Sequence, residues 1–386
     1  MGELHTEQEQ RVTPLELFFD LVFVFGFTQV TTVLSNDPTW LGLEHGLLIL
    51  VALWWAWAAY AWLTNTIDPG QGSVWGSLLV AIGAMFIAAL AVPEAFGRHG
   101  VVFGVAFLVV IIMQGTLYAL ASRGDRDLLA AIARTLPWSL GGAILILVAG
   151  FVSTGLRPVL WLAALVVALV VPLLIPLQGW RVHPAHFVER HGLIVIIAIG
   201  ESLVAIGLGA RGTGLTAGVI AAALLGLAVA ASFWLAYFDF FPQRAQQLLR
   251  DRSGDQQTAL ARDTYTYLHL PMVTGIVLFA FAMKETLADV GDVLHTVPAV
   301  CLAGGSALYL FAYVAVRWRI ARSARGGRFV AAVASACLIP VAMTVPAIGA
   351  LAAVTAVWIA LHAYELIWWR EARAEVREQR LPASAS

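Results

Sequence analysis

The chain has 386 residues, 60% of them hydrophobic and 12% charged, with a formal net charge of −1. Soluble domains carry about 25% charged residues, so a soluble globular fold is excluded, and the neutral balance leaves no electrostatic footprint for a nucleic-acid partner. A mean hydropathy of +0.83 over the whole chain points to an all-α polytopic membrane protein.

The opening MGELHTEQEQ is polar, and the apolar run after it is too long for the core of a signal peptide, so it is kept as a membrane helix. Its Met-Gly start, with Thr6 behind it, does not make a convincing acylation site. Spanning a bilayer takes about 20 apolar residues. Twelve such runs follow in chain order, centred near Phe25, Trp54, Ala84, Val110, Ile144, Val167, Ile199, Ala228, Leu278, Leu308, Ala336 and Trp358. Pro137 is expected to start the fifth, and Pro340 and Pro346 to interrupt or end the eleventh. Cys301 and Cys337 both fall in apolar runs and read as packing residues. The division is a tail over 1–14, six helices over 15–177, six more over 178–369 and a tail over 370–386.

Charge sets the orientation. With twelve spans, the side holding both termini collects nineteen of the 23 lysines and arginines, including the run RWRIARSARGGR from Arg317. The other side holds only Arg98, Arg157, Arg211 and Lys284. The positive-inside rule then places both termini in the cytoplasm. The basic loops are suited to anionic headgroups. Trp54, Trp55, Trp57, Trp62, Trp368 and Trp369 are candidate interfacial anchors.

The first and seventh runs echo each other. ELFFDLVFVFGFTQV from Glu16 aligns with ERHGLIVIIAIGESL from Glu189: an acid, a mostly apolar stretch, then Thr28-Gln29 or Glu201-Ser202. In the next pair, WWAWAAY and SFWLAYF match Trp57 with Trp234 and Tyr60 with Tyr237; the third pair ends in Glu94 and Glu285. Six-helix halves keep one orientation, giving a parallel repeat about an axis along the membrane normal.

ELFFDLVFVFGFTQVT and ERHGLIVIIAIGESLVAIG resemble the signatures of the bacterial low-temperature-requirement protein A (LtrA) family, and YTYLHLPMVTGIVLFAFA from Tyr265 is similar to a third block. The likeness runs from about Glu16 to the end of the last helix. It implies a multispanning membrane protein of a family named for a cold-growth phenotype, and supplies no substrate, cofactor or catalytic residue.

The polar residues must therefore carry the functional argument. A charge at a helix centre costs about 2.5–3.5 kcal/mol on insertion scales. Glu201, twelve residues past Glu189 and flanked by Gly200 and Ser202, falls ~18 Å along its helix, near the midplane. It reads as a protonatable or ion-binding group on a pathway with Ser202, faced by Thr28 and Gln29; the alternative is a neutral carboxyl bonded to a neighbouring helix. A second polar layer lies nearer the cytoplasm: Glu16, Asp20, Glu189, Arg190, His191, Asp239 and His269, with His362 and Glu365 near the inner end of the last helix. Acids at helix N-termini meet the dipole, but Asp20 is a turn deeper and needs a partner, Arg190 or His269. His183, His186 and His191 have metal-like spacing without a cysteine, and no metal or cofactor is expected.

Three functions compete. The first is a secondary-transporter-like permeation protein, moving a proton or small molecule through Glu201. The second is a non-transporting envelope protein acting in the cold through lipid or partner contacts. The third is an intramembrane enzyme on a lipid-linked substrate, with acid-base groups from Asp20, Glu189, His191 and His269.

Overall fold

The computed structural model describes residues 12–66, 72–122, 124–153, 155–211, 213–239, 241–322 and 326–368. The expectations for Arg11, Arg123, Arg325, Trp369 and the tail from Arg370 lie outside the described residues. Among the described residues the elements are helical, apart from one isolated bridge between Val293 and Pro346.

Helix α1 (Pro14–Asn36) opens with a capping box: the Glu16 N–H donates to the Thr13 hydroxyl, and the Thr13 N–H donates to the Glu16 carboxylate at 2.8 Å. It is followed by α2 (Trp40–Thr66), α3 (Gly72–Ala91), α4 (Gly100–Ala121), α5 (Arg126–Phe151) and α6 (Arg157–Leu174). The second part holds α7 (Pro184–Gly209), α8 (Ala217–Phe238) and two short helices, α9 (Phe241–Arg250) and α10 (Gly254–Ala261). A π-helical turn (Arg262–Tyr267) leads into α11 (His269–Ala288), α12 (Thr296–Ala321), α13 (Gly326–Cys337), α14 (Ile339–Ala342) and α15 (Ala347–Trp368).

Among the described residues, eleven helical segments are long and apolar enough to cross a membrane. The eleventh expected span is shorter, covering Gly326–Ala342, and it breaks at Leu338 between α13 and α14. Pro340 causes this, because its ring lacks an N–H and collides with the carbonyl four residues back. Pro137 does not start the fifth helix but lies inside it; Asp125 is the cap, accepting from the Leu128 N–H at 3.1 Å. Cys301 is buried as expected for packing, whereas Cys337 is exposed.

Helix α1 sits centrally, against α2, α3, α7 and α11. Around it α3, α4, α5 and α6 pack in succession, and so do α11, α12, α13 and α15. Helices α11 and α12 touch backbone to backbone: a Cβ on Gly275 would lie 2.5 Å from the Gly305 carbonyl oxygen, so only glycine fits there. Side chains such as Leu21, Leu90, Leu162, Leu224 and Ile359 are exposed on the outer surface, as helices facing hydrocarbon require.

Cross-helix bonds place the start of α1, the end of α2 and the start of α7 at one level, called the basic face here. The end of α8 and the start of α13 join the end of α15 in the same way. On the opposite face Arg157 is a structural cap, donating to the carbonyls of Gly97 at 2.7 Å and Ala149 at 3.1 Å, which the ends of neighbouring helices leave open.

Candidate functional site

The polar residues concentrate along one seam, where α1 runs parallel to α7. Of the contacts across the seam, three join residues 170 apart in the chain: Glu16 with His186, Asp20 with Arg190, and Thr31 with Glu201. A constant separation means that two parallel helices lie in fixed register. The side chains alternate by turns because Glu16 and Asp20 on α1, and His186 and Arg190 on α7, are each four residues apart and share a face.

The basic-face end of the seam holds a closed ionic cluster. Arg190 Nη1 donates to Asp20 Oδ2 at 2.9 Å, and its Nε lies 3.7 Å from Glu16 Oε1. Trp57 Nε1 donates to the other Asp20 oxygen at 2.9 Å. His186 Nε2 is 2.9 Å from Glu16 Oε1, and a carboxylate oxygen needs a donor, so the proton sits on Nε2. His186 Nδ1 then accepts from Asn65 Nδ2 at 3.2 Å. Asn65 is itself fixed by the His183 backbone, accepting its N–H at 2.8 Å and donating to its carbonyl at 3.0 Å. Arg190 is 0% exposed, so two carboxylates share one guanidinium away from water.

Beside the cluster lies an imidazole–aromatic layer from α2, α7, α8 and α11. His191 Nδ1 donates to the Phe187 carbonyl at 2.8 Å, and its ring meets Trp57 edge-on at 4.9 Å. His269 Nδ1 donates to the Thr264 carbonyl at 2.8 Å, which leaves Nε2 to accept from the Tyr237 hydroxyl at 3.0 Å. The His191 and His269 rings are 5.6 Å apart, and both side chains are fully buried.

The other end of the seam holds Glu201, which is 0% exposed. Thr28 Oγ1 donates to its Oε2 at 2.5 Å and Thr31 Oγ1 to its Oε1 at 2.7 Å. Glu201 stands about 7 Å beyond the middle of α7 by the helical rise, on the side away from the basic face. Helix α7 begins at Pro184, five residues before Glu189, so its middle falls on the basic-face side of Glu201. Ser202 is buried beside it, and its hydroxyl has no hydrogen-bond partner among the described residues.

Several candidates fall elsewhere. Gln29 is about 100° round α1 from Thr28, half-buried, and does not bond to Glu201. Thr31, one turn on from Thr28, takes that place. Glu189 is exposed on the far side of α7 and accepts from the Val12 N–H at 3.3 Å, so it does not join the buried cluster. Asp239 is half-buried at the end of α8. The acid-base set of Asp20, Glu189, His191 and His269 therefore does not converge on a common point. Near the last helix, Glu365 pairs with Arg328 at 2.6 Å. Among the described residues no group of three or more His, Cys, Asp or Glu is arranged to hold a metal.

The tryptophans also need correction. Trp54 and Trp57 are fully buried at the seam rather than anchored at an interface, whereas Trp368 is exposed. Tyr60 and Tyr237 are both buried, whereas Trp234 is 47% exposed and Trp57 is buried. Sequence reasoning missed Thr31, Asn65 and the role of His186. The signals were there for two of them: Thr31 lies three residues from Thr28, and His186 four from Arg190.

Comparison with known proteins covers nearly the whole chain. Residues 11–363 match the family described as bacterial low temperature requirement A protein (LtrA). The chain is 32% identical over 318 residues to uncharacterized protein RA0937 of Rhizobium meliloti (strain 1021), covering 79% of this chain and 76% of that protein. No solved structure matches. The match takes in both halves of the seam, and on that extent the chain belongs to the bacterial low temperature requirement A protein family.

Proposed function

We propose that this chain is a transporter-type permeation protein built from two parallel six-helix halves, with the α1–α7 seam as the contact between them. The observation that carries the reading is Glu201, a carboxyl deep inside the membrane region and bonded to the partner helix by two hydroxyls. Ionisable side chains at such depth are expensive and mark ion or substrate pathways by default. The closed cluster of Glu16, Asp20 and Arg190 at the other end acts as the gate on the basic side.

Support for two halves comes from repeated neighbours. Helix α1 packs on α3 as α7 packs on α11, α2 on α6 as α8 on α15, and α3 on α4 as α11 on α12. Thr28 and Glu201, which the aligned stretches make equivalent, touch each other, as residues on a two-fold axis must. In this reading Glu201 takes up a proton from water on one side and releases it to water on the other as the seam parts, with Thr28 and Thr31 hydrogen-bonding to its carboxyl in either state. His191 and His269 line the inner approach. The basic face is cytoplasmic, in a bacterial inner membrane, with its arginines against anionic headgroups.

The test is proton flux into proteoliposomes under an imposed pH gradient, for wild type and Glu201→Gln. The reading expects flux in the wild type and its loss in the variant; equal flux in both removes the carboxylate from the pathway. Reporter fusions at each terminus check the sidedness, with cytoplasmic signals expected at both.

A second reading is favoured by one observation. Both Glu201 oxygens are already satisfied and the side chain is sealed, which also suits a non-transporting protein whose seam only holds the halves together. A thiol reagent added from either side separates the two: Ser202→Cys reacts if the seam opens and stays protected if it does not.

A further inference from the structure

Away from the seam, a cavity of about 110 Å³ lies between α2, α4, α5, the end of α6 and the π-helical turn. It reaches from Pro176 at the basic face to Trp55, ~16 Å in from the end of α2 by the helical rise. Its walls are aromatic, with Trp55, Trp62, Tyr118, Trp180 and Tyr267. π-helical turns such as the one carrying Thr266 and Tyr267 are rare and concentrate at functional sites.

Three polar groups in these walls are unspent. Trp55 Nε1, Gln114 Oε1 and Tyr118 OH are buried and have no hydrogen-bond partner among the described residues. Gln114 and Tyr118 are 7% and 3% exposed. The Gln114 amide is held in place because its Nε2 donates to the Ala59 carbonyl at 3.2 Å, which leaves Oε1 toward other partners. Buried polar groups are nearly always satisfied, so three open ones round a single void mark a place for a partner molecule.

The second half meets the matching carbonyl with a charged side chain. Ala236 of α8 is the counterpart of Ala59 in the aligned stretches. There Arg328 from α13 donates to the Ala236 carbonyl at 2.9 Å, pairs with Glu365, and lies 4.1 Å over the Tyr313 ring. Ala59 receives the shorter, uncharged Gln114 instead, whose Oε1 stays open.

The open atoms define the ligand. Trp55 Nε1 only donates, Gln114 Oε1 only accepts, and the Tyr118 hydroxyl does both; Gln114 and Tyr118 are one turn apart on α4, so a neutral ligand hydroxyl, which donates and accepts, suits that pair. Charge is excluded from both directions. Among the described residues Arg262 is the cation in the lining, and Asp263 Oδ1 already neutralises it at 2.8 and 2.9 Å. The lining contains no acid to balance a cation, although aromatic walls attract one. At roughly 10–15 Å³ per water-sized probe, the volume suits a substituted six-membered ring. We infer that this cavity binds an uncharged, ring-bearing alcohol of the phenol type, with its ring between the tryptophans and its hydroxyl on Gln114 and Tyr118.

The test uses the full chain in lipid nanodiscs and fluorine NMR. Four probes share one ring: 4-fluorophenol, fluorobenzene, 4-fluorobenzoate and 4-fluorophenyl-trimethylammonium. Saturable binding of 4-fluorophenol is expected, with fluorobenzene weaker by about tenfold and neither ion bound; about tenfold corresponds to one lost hydrogen-bonding group. Gln114→Leu and Tyr118→Phe are each expected to weaken the phenol about tenfold without changing fluorobenzene, and Ala58→Phe to abolish both. Displacement by 4-nonylphenol dissolved in the disc lipid indicates entry from the bilayer, and displacement only by water-soluble phenol indicates entry from the aqueous side. Equal affinity for fluorobenzene and 4-fluorophenol, tighter binding of the ammonium, or no saturable binding to the wild type overturns the proposal. The ranking of the probes on the wild-type chain decides it even if a variant fails to fold.

Discussion

The two ends of the α1–α7 seam solve the same problem in different ways. At the basic face, two carboxylates are held by a guanidinium, an imidazole and an indole, and the ring of contacts extends through Asn65 to the chain entering α7. At the other end, a single carboxylate is held by two hydroxyls. Fixed charges of opposite sign lock a contact, because removing either leaves a buried ion unpaired. Hydroxyls impose no such condition: they donate to an ionised carboxylate and accept from a protonated one. One end is therefore held shut by paired charge and costs more to part, while the other can change protonation without rebuilding its surroundings.

The largest expected effect breaks the locked end. Arg190→Leu strands Asp20 and Glu16 in the interior and should destabilise the fold by about 3–5 kcal/mol, the usual result of removing one partner of a buried pair. Folded yield in detergent and the midpoint of thermal unfolding check it. Adding Asp20→Asn should recover part of the loss, since the stranded charge, not the missing contact, is the main cost. No recovery would show that Arg190 acts by packing.

A smaller loss is expected for Trp57→Phe, which keeps the aromatic contact with His191 and removes one hydrogen bond to a charged acceptor. About 1.5–3 kcal/mol is the usual range for such bonds, and thermal unfolding again reads it. At the hydroxyl end, Thr31→Val should cost only about 0.6 kcal/mol, the average found for polar contacts between membrane helices. A loss there as large as that of Arg190→Leu would erase the contrast between the two ends. Glu201→Gln is nearly isosteric and keeps an acceptor and a donor for the two threonines, so its unfolding midpoint should stay within a degree or so of wild type while proton flux disappears. Gln29→Leu, on the other side of α1, should change neither stability nor flux measurably.

The seam's residues were largely legible, while their pairing was not. An acid at 16, another at 20 and a buried glutamate at 201 stand out because charge in an apolar helix is costly. The four-residue spacing that puts Glu16 and Asp20 on one face is also a property of the chain. What could not be read was the partner. The aligned stretches set Glu189 opposite Glu16, yet the contact is made by His186, because α7 begins earlier than the repeat suggests and Glu189 turns outward. The eleventh span was uncertain for a local reason, Pro340, and the structure shows it short and broken.

By itself the sequence determined the membrane class, the succession of apolar segments and which polar residues had to be explained, since hydropathy and helical period act along one chain. Only the tertiary structure decided that Asp20 belongs to Arg190, that Thr31 rather than Gln29 meets Glu201, and that Arg328 reaches both Glu365 and the Ala236 carbonyl. Those outcomes depend on the register and rotation of helices about 170 residues apart, and in lipid these are set by close packing and hydrogen bonds rather than by any pattern within a single helix.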